Sequence, residues 1–450
     1  MRTGEGGFWW RTAPARPSRA SLPGPLEADV AIVGAGFTGL WTAYYLKRAD
    51  PSLHVVVLEA ERAGYGASGR NGGWATGFFA GTPRVYGDGF MELQRAMFAT
   101  VDEIAEVLAR EGIEADFVKH GHLTVARGAA QEQRLREQLR ELRASGLGEA
   151  DVRELAPSEL SERVLVQGSR LATFSPHAAR LHPAKLVAGL AATAERLGVS
   201  IYERTRVREL RRHEAVTSAG PVRARWVVRA TEGYTASLRG MRRALAPLNS
   251  SMIVTEPLPE EAWDRIGWRG AEVLDDAAHV FVYLQRTADG RIAIGGRGVP
   301  YRLGSRTDRD GATARATVRH LRAQLVRMFP AAQGAAIDHA WSGVLGVARD
   351  WRVSVGADRA CGSAWAGSYV GEGVAASNLA ARTLRDLLLG ADTRLAWVAG
   401  APARGWEPEP LRFLGIRGVY ALYRGADAIE RRSGAPSRLA RFADRLSGRR

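Results

Sequence analysis

DVAIVGAGFTGL, residues 29–40, joins a short apolar run to a glycine-rich turn and then to the first residues of an amphipathic helix. A second apolar run follows at residues 54–58, so the order strand, tight turn, helix, strand predicts one βαβ unit. The turn matches G-x-G-x-x-G at Gly34, Gly36 and Gly39. Such glycines permit a tight turn, let the backbone approach a pyrophosphate and let the helix pack closely on the strand. The stretch therefore predicts a dinucleotide-binding domain.

An acidic residue ends the second strand of this unit. Glu59 lies twenty positions after Gly39, where a carboxylate can accept hydrogen bonds from ribose hydroxyls. The same carboxylate would repel a 2′-phosphate, which argues against NADP. The alternative interpretation is that the glycines only form a turn and that Glu59 is a solvated strand end.

Two further glycine-rich segments distinguish FAD from NAD. GASGRNGG, residues 66–73, is either a flexible linker or a loop through which a long cofactor threads, with Arg70 and Asn71 within reach of phosphate or flavin polar atoms. GSYVGEGV, residues 367–374, precedes a predicted helix. Its positive N-terminus can face the N1–C2 carbonyl edge of the flavin, where reduction places negative charge. One FAD molecule explains both segments.

Composition excludes several other classes of protein. With 450 residues and 46% hydrophobic content, the chain has enough mass for two domains. The net charge of +15 comes from Arg spread along the chain, so we expect no nucleic-acid partner. Cys361 is the only cysteine and the nine His are scattered, so we expect neither a disulfide nor a metal site. The sequence lacks a transmembrane run and a secretory signal, and a cytoplasmic location is expected.

The pattern along the chain predicts an α/β fold with α+β character, in which a Rossmann-type FAD-binding domain is interleaved with an antiparallel-sheet substrate domain. Short alternating runs between residues 245 and 300 indicate the antiparallel sheet. The expected divisions are an irregular N-terminal arm at 1–27, the FAD-binding domain at 28–85, 178–245 and 340–395, the substrate domain at 86–177 and 246–339, and a basic helical tail at 396–450.

The order of the motifs in residues 28–390 resembles that of the D-amino-acid oxidase family of flavoproteins. The chain is most similar to the branch that contains glycine oxidase, sarcosine oxidases and gamma-glutamylputrescine oxidase. The resemblance rests on DVAIVGAGFTGL, the Glu59 strand end, GASGRNGG, HPAKLVAGLA with GVSIYERTRV, the strand end at residues 227–231, and GSYVGEGV.

The resemblance implies where FAD would be held. Val207 would contact the adenine side, Ala230, Thr231 and Gly233 would lie by the pyrophosphate, and the turns at Gly343 and 371–374 would cradle the flavin. The residues expected to contact FAD are Gly34, Gly36, Phe37, Thr38, Gly39, Glu59, Ser68, Gly69, Arg70, Asn71, Gly72, Gly73, Val207, Ala230, Thr231, Gly233, Gly343, Gly371, Glu372, Gly373 and Val374.

The chain departs from the family pattern at three positions. Many relatives have His where Glu372 stands, which changes the charge near the flavin. Cys361 does not match the position of the cysteine that binds flavin covalently in sarcosine oxidases, so FAD is expected to be non-covalent. Arg291 is the nearest equivalent of the lysine that those enzymes present to oxygen.

The implied activity is oxidation of the C–N bond of a primary or secondary amine or amino acid by hydride transfer to flavin N5, giving an imine, with oxygen or a quinone as electron acceptor. Placement of a neutral amine against the flavin is sufficient for this chemistry, so no strong protein base is expected. Alternative functions are an NAD-dependent dehydrogenase, or a flavin-bearing interaction protein that docks through its basic tail.

Candidate substrate contacts come from the antiparallel region. Arg297 and Arg302, with Tyr301 between them, follow a predicted strand, and a bidentate Arg is a natural partner for a substrate carboxylate. Trp74 and Trp341 are candidate pocket walls, although core packing is the commoner role of Trp.

Overall fold

The computed structural model describes residues 1–4, 6–296, 300–307, 310–399 and 404–448. Helices and strands are mixed along the chain. Within the described ranges, the α-helices α1 to α12 span Trp9–Thr12, Phe37–Ala49, Pro83–Tyr86, Phe90–Glu111, Ala129–Ala144, Pro157–Arg163, Pro183–Arg196, Glu260–Ile266, Arg315–Met328, Gly373–Leu389, Leu411–Ser433 and Arg438–Ser447. The strands β1 to β20 span Arg2–Thr3, Leu26–Val33, Val55–Leu58, Trp74–Thr76, Val118–Lys119, His122–Ala126, Arg153–Leu155, Leu171–Ser175, Ala178–Arg180, Ser200–Tyr202, Val207–Arg211, Glu214–Thr217, Gly220–Arg229, Ala246–Thr255, Val273–Asp276, Val282–Arg286, Ile292–Gly296, Ile337–Val347, Ser354–Asp358 and Ser363–Gly367.

The predicted βαβ unit forms the centre of one sheet. Its strand order is β10-β3-β2-β13-β12-β11, and β20 also pairs with β13 and with β19. β2 pairs in parallel with β3 and β13, which places Val30 opposite Val55 on one side and Trp226 on the other. All four residues of β3 are buried, as expected for a parallel strand covered on both faces. Helices α2 and α10 pack against each other, and Asn378 donates a hydrogen bond of 2.9 Å to the Tyr45 hydroxyl.

A second sheet contains the predicted antiparallel strands. Its order is β1-β18-β14-β17-β16-β15-β6-β8-β7, with parallel pairing only at β1–β18 and β15–β6 among the described strands. Every residue of β14 is buried, and β14 pairs along its length with β18. Helix α9 packs against β14 and β17. The three-stranded sheet β4-β9-β5 is separate from both larger sheets.

The N-terminal arm is held against the second sheet. β1 pairs with β18 at His339 and Ala340. Phe8 and Trp9 follow and pack against Trp341, with ring centroids 6.0 Å from it in both cases. Trp341 is fully buried, and its indole N–H donates to the Arg70 carbonyl at 2.9 Å. The arm therefore contributes to the core that connects this sheet to the loop at residues 66–73.

The C-terminal tail consists of α11 and α12, which pack on each other. The Asp427 carboxylate on α11 accepts hydrogen bonds from the backbone N–H groups of His279 at 2.9 Å and Val280 at 3.0 Å. These bonds attach the tail to the connection between β15 and β16. In the described part of the chain, no helix combines the length and apolarity that crossing a membrane requires.

Replacing Trp341 by Ala should lower the free energy of unfolding by about 3–5 kcal/mol, because it removes a fully buried ring and leaves a cavity. The measurement is the shift of the urea midpoint. Phe442→Ala is the matched control, since Phe442 is 52% exposed on α12 and its loss should change stability by less than about 0.5 kcal/mol. Equal effects of the two substitutions would contradict the packing described for Trp341.

Candidate cofactor and active site

The turn after β2 accepts only glycine at two of its positions. Gly34 has a φ of +107°, and a Cβ there would lie 2.6 Å from the Ala230 carbonyl oxygen. A Cβ on Gly39 would lie 2.0 Å from the Gly34 oxygen, so helix α2 begins tightly against β2. The Phe37 N–H donates to Ser68 Oγ at 2.8 Å. The first glycine-rich turn and the loop at 66–73 are therefore in direct contact.

The Glu59 carboxylate lies at the end of β3 beside this turn. Its two oxygens accept hydrogen bonds from the backbone N–H groups of Ala35 and Glu61, each at 2.9 Å. Burial raises the pKa of Glu59 above its ordinary value, although both hydrogen bonds favour the carboxylate. The side chain is thus fixed next to the phosphate-binding turn, and its contact with ribose stays a prediction.

The two glycine turns that are far apart in sequence are adjacent in space. The hydroxyls of Thr38, in the first turn of α2, and Tyr369, just before α10, are 3.0 Å apart. Gly371 has a φ of +120°, which lets the chain reverse before α10 begins at Gly373. Helices α2 and α10 therefore start close together, which is the arrangement that one extended dinucleotide between them requires.

Glu232, which the sequence analysis did not identify, connects the sheets beside this site. Its carboxylate accepts hydrogen bonds from three backbone N–H groups: Gly346 on β18 at 3.2 Å, Ser368 at 2.8 Å and Tyr369 at 3.2 Å. Burial raises the pKa of Glu232 to about 7 in spite of these bonds. Burial also disfavours the charged form of Arg229, and it lowers the pKa of that side chain to about 10. No motif marks Glu232, because its partners come from segments more than 100 residues away.

Arg70 provides a direct test of whether the residues fit FAD. The side chain is buried and lies over the Tyr65 ring at 4.3 Å, and Nη1 is 3.5 Å from the Ser342 carbonyl oxygen. Its Nε and Nη2, and the nearby Tyr234 hydroxyl, are buried without a hydrogen-bond partner among the described residues. Buried donors of this kind require an acceptor. The phosphate or ring oxygens of FAD provide one, so the cradle fits the cofactor.

The rest of the loop at 66–73 is held by protein contacts. Asn71 donates to the Ser68 carbonyl at 2.8 Å and accepts from the Gly73 N–H at 2.8 Å, so its amide shapes the loop. Gln285 on β16 donates to the Gly72 carbonyl at 2.6 Å. The loop is thereby fixed between the two larger sheets.

An aromatic cluster lies against this loop. The Trp74 ring is 5.0 Å from the His122 ring and 5.9 Å from the Tyr283 ring. A Cβ on Gly72 would lie 2.8 Å from Tyr283, so the loop backbone touches this ring. Ser250, which faces Gly343 across the β14–β18 pair, is hydrogen-bonded to the Tyr283 hydroxyl at 3.0 Å.

Two carboxylates act on the histidine of this cluster. His122 Nε2 lies 3.2 Å from Asp275 Oδ1. Burial alone would lower the pKa of His122, but Asp275 and then Glu372 raise it above its ordinary value. Glu372, in the turn before α10, thus acts electrostatically on the same histidine. We refer to Trp74, His122, Asp275, Tyr283 and Glu372 as the aromatic–acidic pocket.

The other FAD contacts implied by resemblance lie around the first sheet. Val207 is buried on β11. The hydroxyl of Thr231 is 2.8 Å from that of Thr235, and a Cβ on Gly233 would lie 2.7 Å from Val344. Their contacts with the cofactor stay predictions.

The structure describes two of the three proposed substrate anchors. Arg297 lies outside the described residues, and Arg302 is exposed. Tyr301 is fully buried in a cluster with Trp406, and its hydroxyl donates to Glu409 at 2.6 Å. That environment belongs to the chain preceding α11. Of the two candidate pocket walls, Trp341 is part of the core described above, whereas Trp74 belongs to the aromatic–acidic pocket.

Two departures from the family pattern also have structural positions. Arg291 pairs with Asp289 at 2.7 Å and Asp338 at 2.8 Å, which is a structural role. Cys361 is exposed before β20, at the opposite end of that strand from Gly371. This position supports non-covalent FAD.

Comparison with known proteins identifies the family. The family model described as DAO, FAD dependent oxidoreductase, matches residues 29–387. The chain belongs to the DAO family. It is an FAD-dependent oxidoreductase and uses FAD as its cofactor. The predicted mixed α/β fold, the predicted family and the predicted cofactor are confirmed.

The chain is also similar to individual proteins that are named as oxidoreductases or oxidases. The chain is 29% identical to a probable oxidoreductase, OrdL, of Haemophilus influenzae, over 83% of this chain and 86% of that protein. It is 29% identical to gamma-glutamylputrescine oxidoreductase of Escherichia coli, over 84% of this chain and 87% of that protein. The fold of glycine oxidase from Geobacillus kaustophilus matches with a TM-score of 0.69 at 20% identity, covering 82% of this chain and 96% of that one.

Substituting Gly36 by Ala should weaken FAD binding at least tenfold. A Cβ there would lie 2.8 Å from Ser68 Oγ and would also stand where the pyrophosphate approaches. The double substitution Gly36→Ala/Ser68→Ala removes the contact within the protein but keeps the methyl group. FAD titration by flavin fluorescence should still show weak binding in the double variant. Full recovery of affinity would place the pyrophosphate elsewhere.

Stability should depend on pH through Glu232. Its folded pKa of about 7 lies above the ordinary 4.5, so its contribution is complete below about pH 4.5 and is lost as pH rises towards 7. The wild-type holoenzyme should therefore lose about 2–3 kcal/mol between pH 5 and 7.5 relative to Glu232→Gln, which cannot ionise. Urea midpoints of both proteins at each pH provide the measurement. Parallel pH profiles would exclude Glu232 as the group responsible.

Proposed function

We propose that this chain oxidises the carbon–nitrogen bond of a primary or secondary amine or amino acid. The observation that carries the proposal is the aromatic–acidic pocket, which lies against the loop at 66–73 and near the turn at 371–374. When bound, FAD supplies the hydride acceptor at N5. The substrate carbon gives up a hydride and the nitrogen loses a proton, so an imine forms, which water hydrolyses.

Within this class, the charge of the pocket favours a substrate recognised as a cation. Asp275 and Glu372 raise the pKa of His122, so the local field stabilises positive charge. Trp74 and Tyr283 add aromatic faces, which attract ammonium groups. A free substrate carboxylate would meet the same field as a repulsion. Arg70 is the buried cation of the loop at 66–73. It lies by Tyr65 and Ser342, on the side of the loop that we assign to the cofactor.

The other residues of the pocket orient the substrate. The hydrogen bond between Ser250 and Tyr283 fixes that ring beside Gly72, and a rotamer held in this way preserves its position during binding. His122 Nε2 lies 3.2 Å from Asp275 Oδ1, so the two side chains form an ion pair when His122 is protonated. One relative of this chain is named gamma-glutamylputrescine oxidoreductase. Because that name denotes an amine, it supports an amine substrate for this chain as well.

The first experiment tests the function itself. The purified holoenzyme is mixed anaerobically with monoamines, diamines, N-methylated amines and amino acids of matched length. Reduction of the flavin is followed as the loss of its visible absorbance at about 450 nm. We expect bleaching by amines, and fastest by those without a carboxylate. Absence of bleaching by every amine and amino acid would refute the proposal. Peroxide formed on admitting air identifies oxygen as the acceptor, and reoxidation only by a soluble quinone identifies a quinone.

Replacing Glu372 by Gln should raise the KM for the best amine about 5–30-fold, the equivalent of ~1–2 kcal/mol for a partly buried charge pair. Glu162→Gln, an exposed substitution of the same kind on α6, is the matched control and should leave the KM unchanged. Flavin content is measured in both variants. An unchanged KM in Glu372→Gln with full flavin content would contradict recognition of a cationic substrate by this carboxylate.

A further inference from the structure

A second concave site lies on the far side of the antiparallel sheet, away from the residues assigned to FAD. It has a volume of about 870 Å³ and is bounded by α9, α11, the connection between β15 and β16, and the start of α5. Its lining residues recur at helical spacing on both long helices, so one face of each helix forms a wall. These residues are Thr317, His320, Gln324 and Arg327 on α9 and Arg424, Asp427 and Arg431 on α11.

Arginine is the commonest residue type in the lining of this cavity. The six arginines are Arg127, Arg170, Arg327, Arg424, Arg431 and Arg432, and four of them belong to the walls formed by α9 and α11. Arg127 is held in place by hydrogen bonds to the carbonyls of Gln167 at 3.1 Å and Arg327 at 2.7 Å. Burial and the charge of Arg327 lower the pKa of Arg127, as expected where positive charges are crowded.

The acidic residues of the lining are engaged by the protein. Asp427 accepts the two backbone N–H groups described above. Glu430 accepts from His279 at 2.9 Å, from the Ser437 N–H at 3.0 Å and from Arg134. Asp276 accepts from the Val282 N–H at 3.1 Å, and burial raises its pKa to about 7. The three carboxylates therefore offset only part of the charge of the six arginines of the lining, of which Arg170 is also paired with Glu132 at 2.9 Å.

Two further features favour an anion in the cavity. The pKa of His320 is lowered by burial and by Arg424, Arg431 and Arg327, so the field around this imidazole is positive. Helix α5 begins at the cavity with residues 128–131, and its N-cap, Gly128, provides no capping side chain. The N-terminus of a 16-residue helix adds backbone donors and positive dipole charge.

We propose that this cavity binds a small molecule with two or more phosphate groups. The volume matches a small-molecule site, and planar guanidinium groups on two facing helices suit phosphate oxygens. The site is separate from the aromatic–acidic pocket, so its ligand is neither the amine substrate nor FAD. Binding joins α9 of the sheet to α11 of the tail and should stabilise that contact.

The test uses the FAD-saturated holoenzyme, because pyrophosphate could otherwise enter the empty phosphate-binding turn of the flavin site. Pyrophosphate, ADP and adenosine are titrated calorimetrically, and flavin absorbance is followed to verify that FAD is not displaced. We expect one pyrophosphate per chain, and no binding of adenosine. ADP binding more tightly than pyrophosphate identifies a nucleotide, whereas equal affinities show that only the phosphates are recognised.

Arg327→Gln/Arg431→Gln removes one charge from each wall and should weaken pyrophosphate binding at least tenfold. Arg441→Gln/Arg445→Gln removes the same charge from α12, outside the lining, and should leave the affinity unchanged. In wild-type protein, pyrophosphate should also slow amide hydrogen exchange at residues 129–132. Absence of saturable binding at millimolar pyrophosphate, or equal weakening in both double variants, would overturn the proposal.

Discussion

The contact between the Thr38 and Tyr369 hydroxyls, 3.0 Å apart across a sequence separation of 331 residues, marks the constraint on which the rest of the structure depends. Two helices must begin side by side, each after a glycine turn, if one dinucleotide is to lie between them. Each turn needs glycine for steric reasons: Gly34 is packed on the Ala230 carbonyl, and Gly371 reverses the chain at positive φ. The first sheet, with β2 at its centre, and the packing of α2 on α10 follow from this requirement. Dinucleotide binding and folding therefore depend on the same close contacts.

Buried polar groups surround this region, and they are of two kinds. Glu232 is satisfied by three backbone N–H groups and joins β18 to the turn before α10. Arg70, in contrast, has buried donors without a partner among the described residues. A satisfied group rigidifies the protein, while an unsatisfied one in a rigid setting is a preorganised contact for a ligand. The combination suits a cofactor site, because the satisfied groups hold the backbone in place around the donors that are left for a ligand.

The antiparallel sheet serves a different purpose on each side. Towards the cofactor, β6, β15 and β16 contribute His122, Asp275 and Tyr283, and these strands meet the loop at 66–73 through Gln285. On the outside, α9 and α11, together with the start of α5, enclose the arginine-lined cavity. The tail is attached through buried carboxylates of α11 and is part of the folded core. Positive charge that is dispersed in the sequence becomes concentrated there, because four separate segments, around Arg127, Arg170, Arg327 and residues 424–432, converge on one space.

The sequence by itself determined the parts whose physics is local. Neighbouring residues set the strand, glycine turn and helix at 29–49, the position of Glu59 at the end of β3, and the order of the glycine motifs. These features were sufficient to predict the family, the cofactor and the fold class. β11, β12 and β20 were not predicted, since charged residues on exposed faces of β11 and β12 interrupt the apolar pattern that indicates a strand. Only the tertiary structure decided which side chains meet. It brought Trp74, His122, Asp275 and Tyr283 together, assigned Glu232 its three donors and placed Tyr301 and Trp341 in cores. These contacts join residues tens to hundreds of positions apart, and no local pattern specifies a partner that arrives through chain folding.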